Sequence, residues 1–117
     1  MENKTLEMTM LFDFFGELLS EKQRETFDLY YNDDLSLSEI AENSGISRQG
    51  VRDMLVRAEN VLRETEEKTG VVRQFTALRE GIRALEEDAS ELLKVLPEGR
   101  PREIAADMLR RLQEMKG

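Results

Sequence analysis

Apolar residues recur at every fourth position near the start of the chain, and two further side chains widen the stripe. They are Leu6, Met10, Phe14 and Leu18, with Leu11 and Phe15 beside them. This spacing is that of one face of an α-helix. The pattern predicts a first helix from about Thr5 to Leu19. A face this broad has to be buried against another part of the protein.

Two serines mark the starts of the next helices. Gln23 follows Ser20 by three residues, and Glu39 follows Ser36 by three residues. This is the spacing of a capping box, in which the two side chains satisfy each other's backbone amides. The pattern therefore predicts two helices, over residues 21–31 and about 37–43.

The segment 35–62 has the pattern of a helix-turn-helix. Such a motif needs a small residue where its helices cross, a glycine and an apolar residue at the turn, and an apolar packing position on its second helix. The residues at these positions are Ala41, Gly45, Ile46 and Val51. Ser47 can then cap a recognition-type helix over about residues 47–68. A plain helical hairpin with a glycine turn is the alternative.

Beyond Gly70 the apolar period changes to seven residues. One series is Phe75, Ile82, Ala89 and Leu96, and a second is Val71, Leu78, Leu85 and Leu92. Two interleaved series of this kind form the seam of a coiled coil. The residues we expect to pack there are Val71, Phe75, Leu78, Ile82, Leu85 and Leu92. Their partner is either a second copy of the chain or other helices of the same chain, and the pattern leaves both open.

A turn over residues 97–101 precedes a short last helix, in which Pro101 suits the first turn. The predicted fold is therefore all-α. It has a helix-turn-helix domain over residues 1–68 with a preceding helix. A long helical arm or hairpin follows over residues 71–117.

Composition removes several kinds of chemistry. The chain of 117 residues contains no Cys and no His, which excludes disulfide scaffolds, Cys/His zinc sites, thiol nucleophiles and histidine bases. No stretch reaches the roughly 20 apolar residues that span a bilayer, and the N-terminus lacks the pattern of a signal peptide. We therefore expect a cytoplasmic protein without membrane insertion, metal, cofactor or enzymatic activity.

The charge distribution is unfavourable for nucleic-acid binding. The net charge is -8, and residues 1–70 contain 8 basic and 16 acidic residues, whereas residues 71–117 contain nine of each. The acidic excess thus lies in the half that carries the helix-turn-helix. Proteins that bind nucleic acid usually present a basic surface to the phosphates. A nucleic-acid ligand has to be contacted by a local basic patch.

Such a patch is available on the outward side of the fourth helix. The candidate contacts are Ser47, Arg48, Gln49, Arg52 and Arg57. Gln and Arg are suited to reading base edges or binding phosphates, whereas Asp53 among them repels phosphates. The alternative is that these arginines are ordinary solvated charges paired with nearby carboxylates.

Residues 20–62 resemble region 4 of sigma factors. The similarity lies in the segments 19–20, 29–31, 38–42 and 46–47, with Arg24, Val51 and Arg57-Ala58. When Met10 to Phe15, Ser47-Arg48-Gln49 and the tract from Glu64 to Lys68 are included, residues 5–95 resemble the YlxM family of small bacterial proteins. That resemblance implies a regulatory protein linked to the signal recognition particle pathway, with no catalytic residues to carry over.

Two main functions follow as hypotheses. The first is a non-enzymatic regulatory protein of the signal recognition particle pathway that binds the particle's RNA or its protein. The alternative is a DNA-binding transcription regulator that uses helix 47–62. A homodimer is expected for the protein, because helix-turn-helix proteins usually bind as pairs. A third possibility is an adaptor that docks a helical partner through the arm.

Overall fold

The computed structural model describes residues 2–116, which are helical apart from short connections and contain no strand. Its helices are α1 Glu2–Phe15, α2 Glu21–Tyr31, α3 Leu37–Ser44, α4 Arg48–Thr69, α5 Val71–Val95 and α6 Arg100–Met115, with a 3-10 helix Gly16–Leu18 after α1. The predicted all-α fold is confirmed. The chain divides into two compact units, one up to Val72 and one from Arg73. None of the described helices is long and apolar enough to cross a membrane.

Both predicted capping boxes are present. The Ser20 hydroxyl accepts a hydrogen bond from the Gln23 amide at 3.1 Å, and the Gln23 side chain accepts one from the Ser20 amide at 3.0 Å. Ser36 and Glu39 form the same pair at 3.1 and 2.9 Å. Each box satisfies two amides that the first turn of a helix leaves without a partner. These caps fix where α2 and α3 begin.

Two glycines end helices in the left-handed conformation that residues with a side chain rarely adopt. Gly45 closes α3 with φ +72°, and Gly70 closes α4 with φ +64°. In each case the glycine amide donates back to a carbonyl four residues earlier. Gly70 is therefore a helix end, and α5 starts at the next residue.

α1 ends earlier than the sequence pattern predicts. It stops at Phe15, and the chain tightens into the 3-10 helix before Leu19. Gly16 is buried there, and a Cβ at this position would lie 3.2 Å from the ring of Phe12. Glycine is a poor helix former, and its lack of a side chain gives the ring this space. The last predicted turn of α1 is therefore replaced by a tighter one.

The first unit is built around α4, which packs against α1, α2 and α3. Its core contains one contiguous set of buried side chains: Met8, Leu11, Phe15, Leu19, Phe27, Tyr31, Ile40, Val51, Leu55, Ala58, Leu62 and Val72. The rings of Phe12, Phe27 and Tyr31 stack in sequence, with centroids 4.6 and 4.4 Å apart. This aromatic stack fixes the angle between α1 and α2.

The buried face of α1 differs from the predicted one. We expected Leu6, Met10, Phe14 and Leu18 to be buried, but these four are exposed, Leu6 to 68%. The side chains that enter the core are Met8, Leu11, Phe15 and Leu19. Because α1 has apolar residues on several sides, its period alone does not identify the face that meets α4. Only Leu11 and Phe15 belong to both sets.

In the second unit, α6 folds back along α5. The Arg102 guanidinium, near the start of α6, donates to the carbonyls of Leu93 and Leu96 at the end of α5. At the other end, the Lys116 ammonium lies 3.3 Å from the Glu86 carboxylate. The two helices are therefore antiparallel. Their shared core is small and consists of Ile82, Ala89 and Leu112, with Leu109 partly buried beside them.

The heptad positions fall into two groups. Ile82 is buried in the hairpin, whereas Leu78, Leu85 and Leu92 are exposed. Val71 and Phe75, at the start of α5, are also exposed. α6 therefore covers Ile82 and Ala89 of the first seven-residue series and leaves Leu78, Leu85 and Leu92 of the second exposed.

Candidate nucleic-acid interface

The turn between α3 and α4 sets the direction of the candidate recognition helix. Gly45 donates its amide to the Ala41 carbonyl at 3.0 Å, which reverses the chain directly after α3. Ile46 and Ala41 are half-buried against the core, and Val51 is fully buried. Gly45 thus turns the chain, and Ala41, Ile46 and Val51 pack α4 onto α3 in the arrangement of a helix-turn-helix.

Ser47 caps the N-terminus of α4. Its hydroxyl oxygen accepts the Gly50 amide at 3.0 Å, and its side chain is exposed. A serine hydroxyl that accepts one bond still has its proton to donate. The start of α4 therefore offers an O–H donor at the positive end of a 22-residue helix, where anions are favoured.

Three arginines are exposed along the first three turns of α4, Arg48, Arg52 and Arg57, and none of them forms an ion pair with another part of residues 2–116. Arg48 and Arg52 are one helical turn apart on one flank of α4. Arg57 lies on the opposite flank. No carboxylate of the described residues lies within ion-pair distance of these three guanidinium groups, so each is available to contact a phosphate oxygen.

The ridge of α4 between these flanks has mixed charge. The Gln49 side-chain amide donates to the Asp53 carboxylate at 2.9 Å, and both residues are exposed. This bond fixes the Gln49 side chain next to Asp53 and leaves its second N–H and its carbonyl oxygen available for a ligand. Those are the groups with which glutamine reads an adenine edge. Asp53 remains a repulsive charge for any phosphate that approaches the ridge.

A groove runs beside Arg57, between α4 and the start of α2. Its lining consists of Ser20, Lys22, Gln23, Gly50, Asp53, Met54 and Arg57. Thr26 of α2 contacts Met54 of α4 across it, with the hydroxyl 3.2 Å from the sulfur. Lys22 lies one helical turn before Thr26 and therefore faces the groove. It adds a second cation next to Arg57.

Lys22 is not among the contacts predicted from the sequence, because no pocket beside it was evident there and those contacts all lie at or on the fourth helix. The signal was its spacing of four residues from Thr26, which sets both on one face of α2. That face becomes recognisable as part of the interface only when α2 is known to pack on α4. Arg48 and Arg52 do not share the groove with Arg57 and Lys22. The predicted arginines therefore lie on two sides of the ridge that carries Gln49, with Arg48 and Arg52 on one flank and Arg57 on the other.

The position of α2 on α4 is further held by a buried polar contact. The Tyr31 hydroxyl donates to a carboxylate oxygen of Glu59, and Lys4 lies 3.7 Å from the other oxygen. Burial, reinforced by the bond to the anionic Glu59, raises the pKa of Tyr31 above its ordinary value. The tyrosine therefore stays protonated as a donor.

The described residues contain no group of three or more metal-ligating side chains. The exposed Glu39 carboxylate accepts the Ser36 amide, which lowers its pKa through hydrogen bonding. On α6, the arginines at 110 and 111 lower the pKa of the Asp107 carboxyl. Both shifts are explained by local helix contacts.

Comparisons with known proteins agree with this architecture. The family model UPF0122, described as "Putative helix-turn-helix protein, YlxM / p13 like", matches residues 2–96. A UPF0122 protein of Caldanaerobacter subterraneus subsp. tengcongensis is 44% identical over 115 residues, which cover 98% of each chain. One of Halalkalibacterium halodurans is 42% identical over 114 residues, or 97% of this chain and 94% of the relative. One of Acetivibrio thermocellus is 49% identical over 84 residues, which cover 72% of this chain and 70% of the relative.

Proposed function

The chain belongs to the UPF0122 family of YlxM / p13-like helix-turn-helix proteins, and on that basis we propose that it is a non-enzymatic regulatory protein that binds nucleic acid through α4. One observation carries the proposal: Arg48, Arg52 and Arg57 are exposed without an ion pair to other described residues. Cations left unneutralised in an acidic chain form the local basic surface that phosphate contact needs. We propose that the protein acts in the cytoplasm and needs neither a metal nor a cofactor.

We propose the signal recognition particle as the ligand, through its RNA or its protein. The support is the resemblance of residues 5–95 to the YlxM family, together with the charge of the chain. Residues 1–70 contain twice as many acidic as basic residues, 16 against 8. This acidic surface repels the parts of a long duplex that extend beyond α4. It is better suited to a compact RNA or to a basic protein partner.

Duplex DNA is the second candidate, and the position of the polar residues on α4 favours it. Arg48, Gln49 and Arg52 lie in the first turns of a capped helix, which is the part of a recognition helix that reaches base edges. The major groove of B-DNA admits an α-helix, whereas the deep, narrow major groove of A-form RNA does not. As a transcription regulator the protein would act as a homodimer on paired half-sites.

A binding experiment with three ligands in parallel tests the proposal. The pure protein is titrated with the reconstituted particle, its free RNA and mixed genomic DNA, each at about 50 and 200 mM salt. Arg52→Ala is compared with Arg24→Ala, a matched control on α2. Arg24 is exposed and lies about 200° around α2 from Lys22, away from the groove.

Salt-sensitive binding to the particle or its RNA that weakens in Arg52→Ala and not in Arg24→Ala is the expected result. The same behaviour with genomic DNA alone would replace the first function with the second. Binding to the particle's protein but not to either nucleic acid would show that the helix-turn-helix acts as a scaffold. The nucleic-acid proposal fails if all three ligands bind Arg52→Ala as well as the unaltered chain.

A further inference from the structure

The α5–α6 hairpin has an apolar face that is exposed along its length. We call it the hairpin face, and it consists of seven side chains exposed by 43% or more: Leu78, Leu85, Leu92 and Val95 on α5, with Ile104, Met108 and Met115 on α6. Isolated exposed apolar residues are common on protein surfaces, but an extended set of this kind marks an interface.

The two halves of the hairpin face lie on one side of the hairpin. On α5, Leu78, Leu85 and Leu92 are rotated by roughly 40–80° from the buried Ile82, in the direction opposite to the winding of the chain. On α6, the exposed stripe is rotated from Leu112 in the same sense. Because the helices are antiparallel, equal rotation senses bring both stripes to the same side.

The core of the hairpin is small for two helices of this length. Its buried residues are Ile82, Ala89, Ala105 and Leu112, although α5 has 25 residues and α6 has 16. A helix pair is normally completed by a further layer that covers its remaining apolar face. The hairpin face is the surface that such a layer would cover.

We infer that the partner is the hairpin face of a second copy, so that two hairpins form a four-helix bundle. The seven side chains expose roughly 650 Å² per chain, close to the ~800 Å² that each partner contributes to a stable complex. Their seven-residue spacing on α5 is typical of helices that pack against another helix of the same period. A second copy has that period and is present wherever the chain is.

Three small exposed residues, Ala77, Gly81 and Ala84, border the hairpin face. On α5, Ala77 and Ala84 are rotated by about 100° from Leu78 and Leu85. They therefore do not obstruct a partner helix that covers the leucines. The interface is isologous, which means that each chain presents the same surface.

The hairpin face specifies the surface of the homodimer that the DNA alternative calls for, and the pairing does not depend on which ligand is bound. Sedimentation equilibrium of the full chain measures it, with Leu85→Glu as the test variant and Leu6→Glu as the matched control on α1. The unaltered chain and Leu6→Glu are expected to be dimers. Leu85→Glu is expected to raise the dimer dissociation constant at least about 100-fold, since each dimer contains the buried charge twice.

A monomeric unaltered chain, or a Leu85→Glu dimer of unchanged affinity, overturns the inference. If Leu6→Glu dissociates and Leu85→Glu does not, the interface is on α1. Nucleic-acid binding by a monomeric Leu85→Glu would leave the proposed function standing, so the two proposals fail separately.

A second measurement does not depend on how Leu85→Glu folds. The chain contains no Cys, so Ala84→Cys can be labelled uniquely with a nitroxide. Two bundled hairpins set the labels at roughly 20–30 Å, about two helix diameters. Absence of any intermolecular distance overturns the inference. A distance that disappears on dilution with unlabelled chain supports it.

Discussion

The Tyr31 hydroxyl donates a hydrogen bond to the Glu59 carboxylate inside the first unit and so joins α2 to α4. Both residues are more than nine-tenths buried, at 9% and 8% exposure. Lys4 of α1 lies 3.7 Å from the second carboxylate oxygen and balances its charge. A buried carboxylate is stable only when it is paired and hydrogen-bonded, so three helices are held by one acidic group.

Replacing Tyr31 with Phe removes the donor and leaves the carboxylate in place. We expect the free energy of unfolding to fall by about 1–3 kcal/mol, because Glu59 then lacks one of its hydrogen bonds. Tyr30→Phe is the matched control, since Tyr30 is partly exposed, and we expect it to stay within about 0.5 kcal/mol. Urea unfolding followed by circular dichroism measures both. Equal losses in the two variants would contradict the role given to the Tyr31 hydroxyl.

The same contact predicts a loss of stability at alkaline pH. The pKa of Tyr31 is raised in the folded chain, chiefly by burial and then by Glu59, from an ordinary value of 10.0. The unfolded state therefore releases this proton first as pH rises. The contribution is complete below pH 10 and is lost progressively above it. Unfolding free energy measured between pH 8 and about 11 should decline more steeply in the unaltered chain than in Tyr31→Phe.

The sequence was most informative where the structure is set locally. The Ser20 and Ser36 caps and the Gly45 turn act within a few residues, so their spacing predicted the starts of α2 and α3 and the end of α3. The face of α1 was predicted wrongly because it depends on α4, more than 30 residues away. Apolar residues on several sides of α1 gave no basis for choosing Met8 over Met10.

The candidate interface was predictable to a similar extent. The positions on α4 followed from helix geometry, whereas the groove with Lys22 depends on how α2 packs. On α5, the heptad pattern identified the apolar positions but did not separate Ile82, which α6 covers, from Leu85, which it leaves exposed. A periodic pattern states which residues need burial and does not state what buries them.

The capping box at the start of α3 should contribute to the stability of the folded chain. Ser36→Ala should cost about 1 kcal/mol, because the Glu39 amide loses its acceptor. Ser38→Ala is the control, since Ser38 is exposed on the same helix, and it should change the stability little.

Hydrogen bonding lowers the pKa of Glu39 from its ordinary 4.5. Its contribution is therefore present above pH 4.5 and lost as pH falls through the lowered value. Glu39→Gln should flatten the acid side of the stability profile.

Lys22 allows a test of whether the groove takes part in binding. We expect Lys22→Ala and Arg57→Ala each to weaken nucleic-acid binding and to lower the salt slope by about one unit, as for one lost phosphate contact. Arg24→Ala should leave both quantities unchanged. Fluorescence anisotropy at several salt concentrations gives the slope. Loss in Arg52→Ala with none in Lys22→Ala would restrict the interface to the Arg48 and Arg52 flank.

Replacing glycine with alanine should change the stability in opposite directions at Gly16 and at Gly81. A Cβ at Gly16 would lie 3.2 Å from the Phe12 ring, which is stacked on the fully buried Phe27 and cannot easily retreat. Gly16→Ala should therefore destabilise the first unit by about 1–2 kcal/mol through overpacking. At Gly81 the added methyl group has open space inside α5, so Gly81→Ala should stabilise that helix by up to about 1 kcal/mol. Thermal unfolding of both variants measures the difference, and shifts of the same sign would contradict the packing described for Phe12.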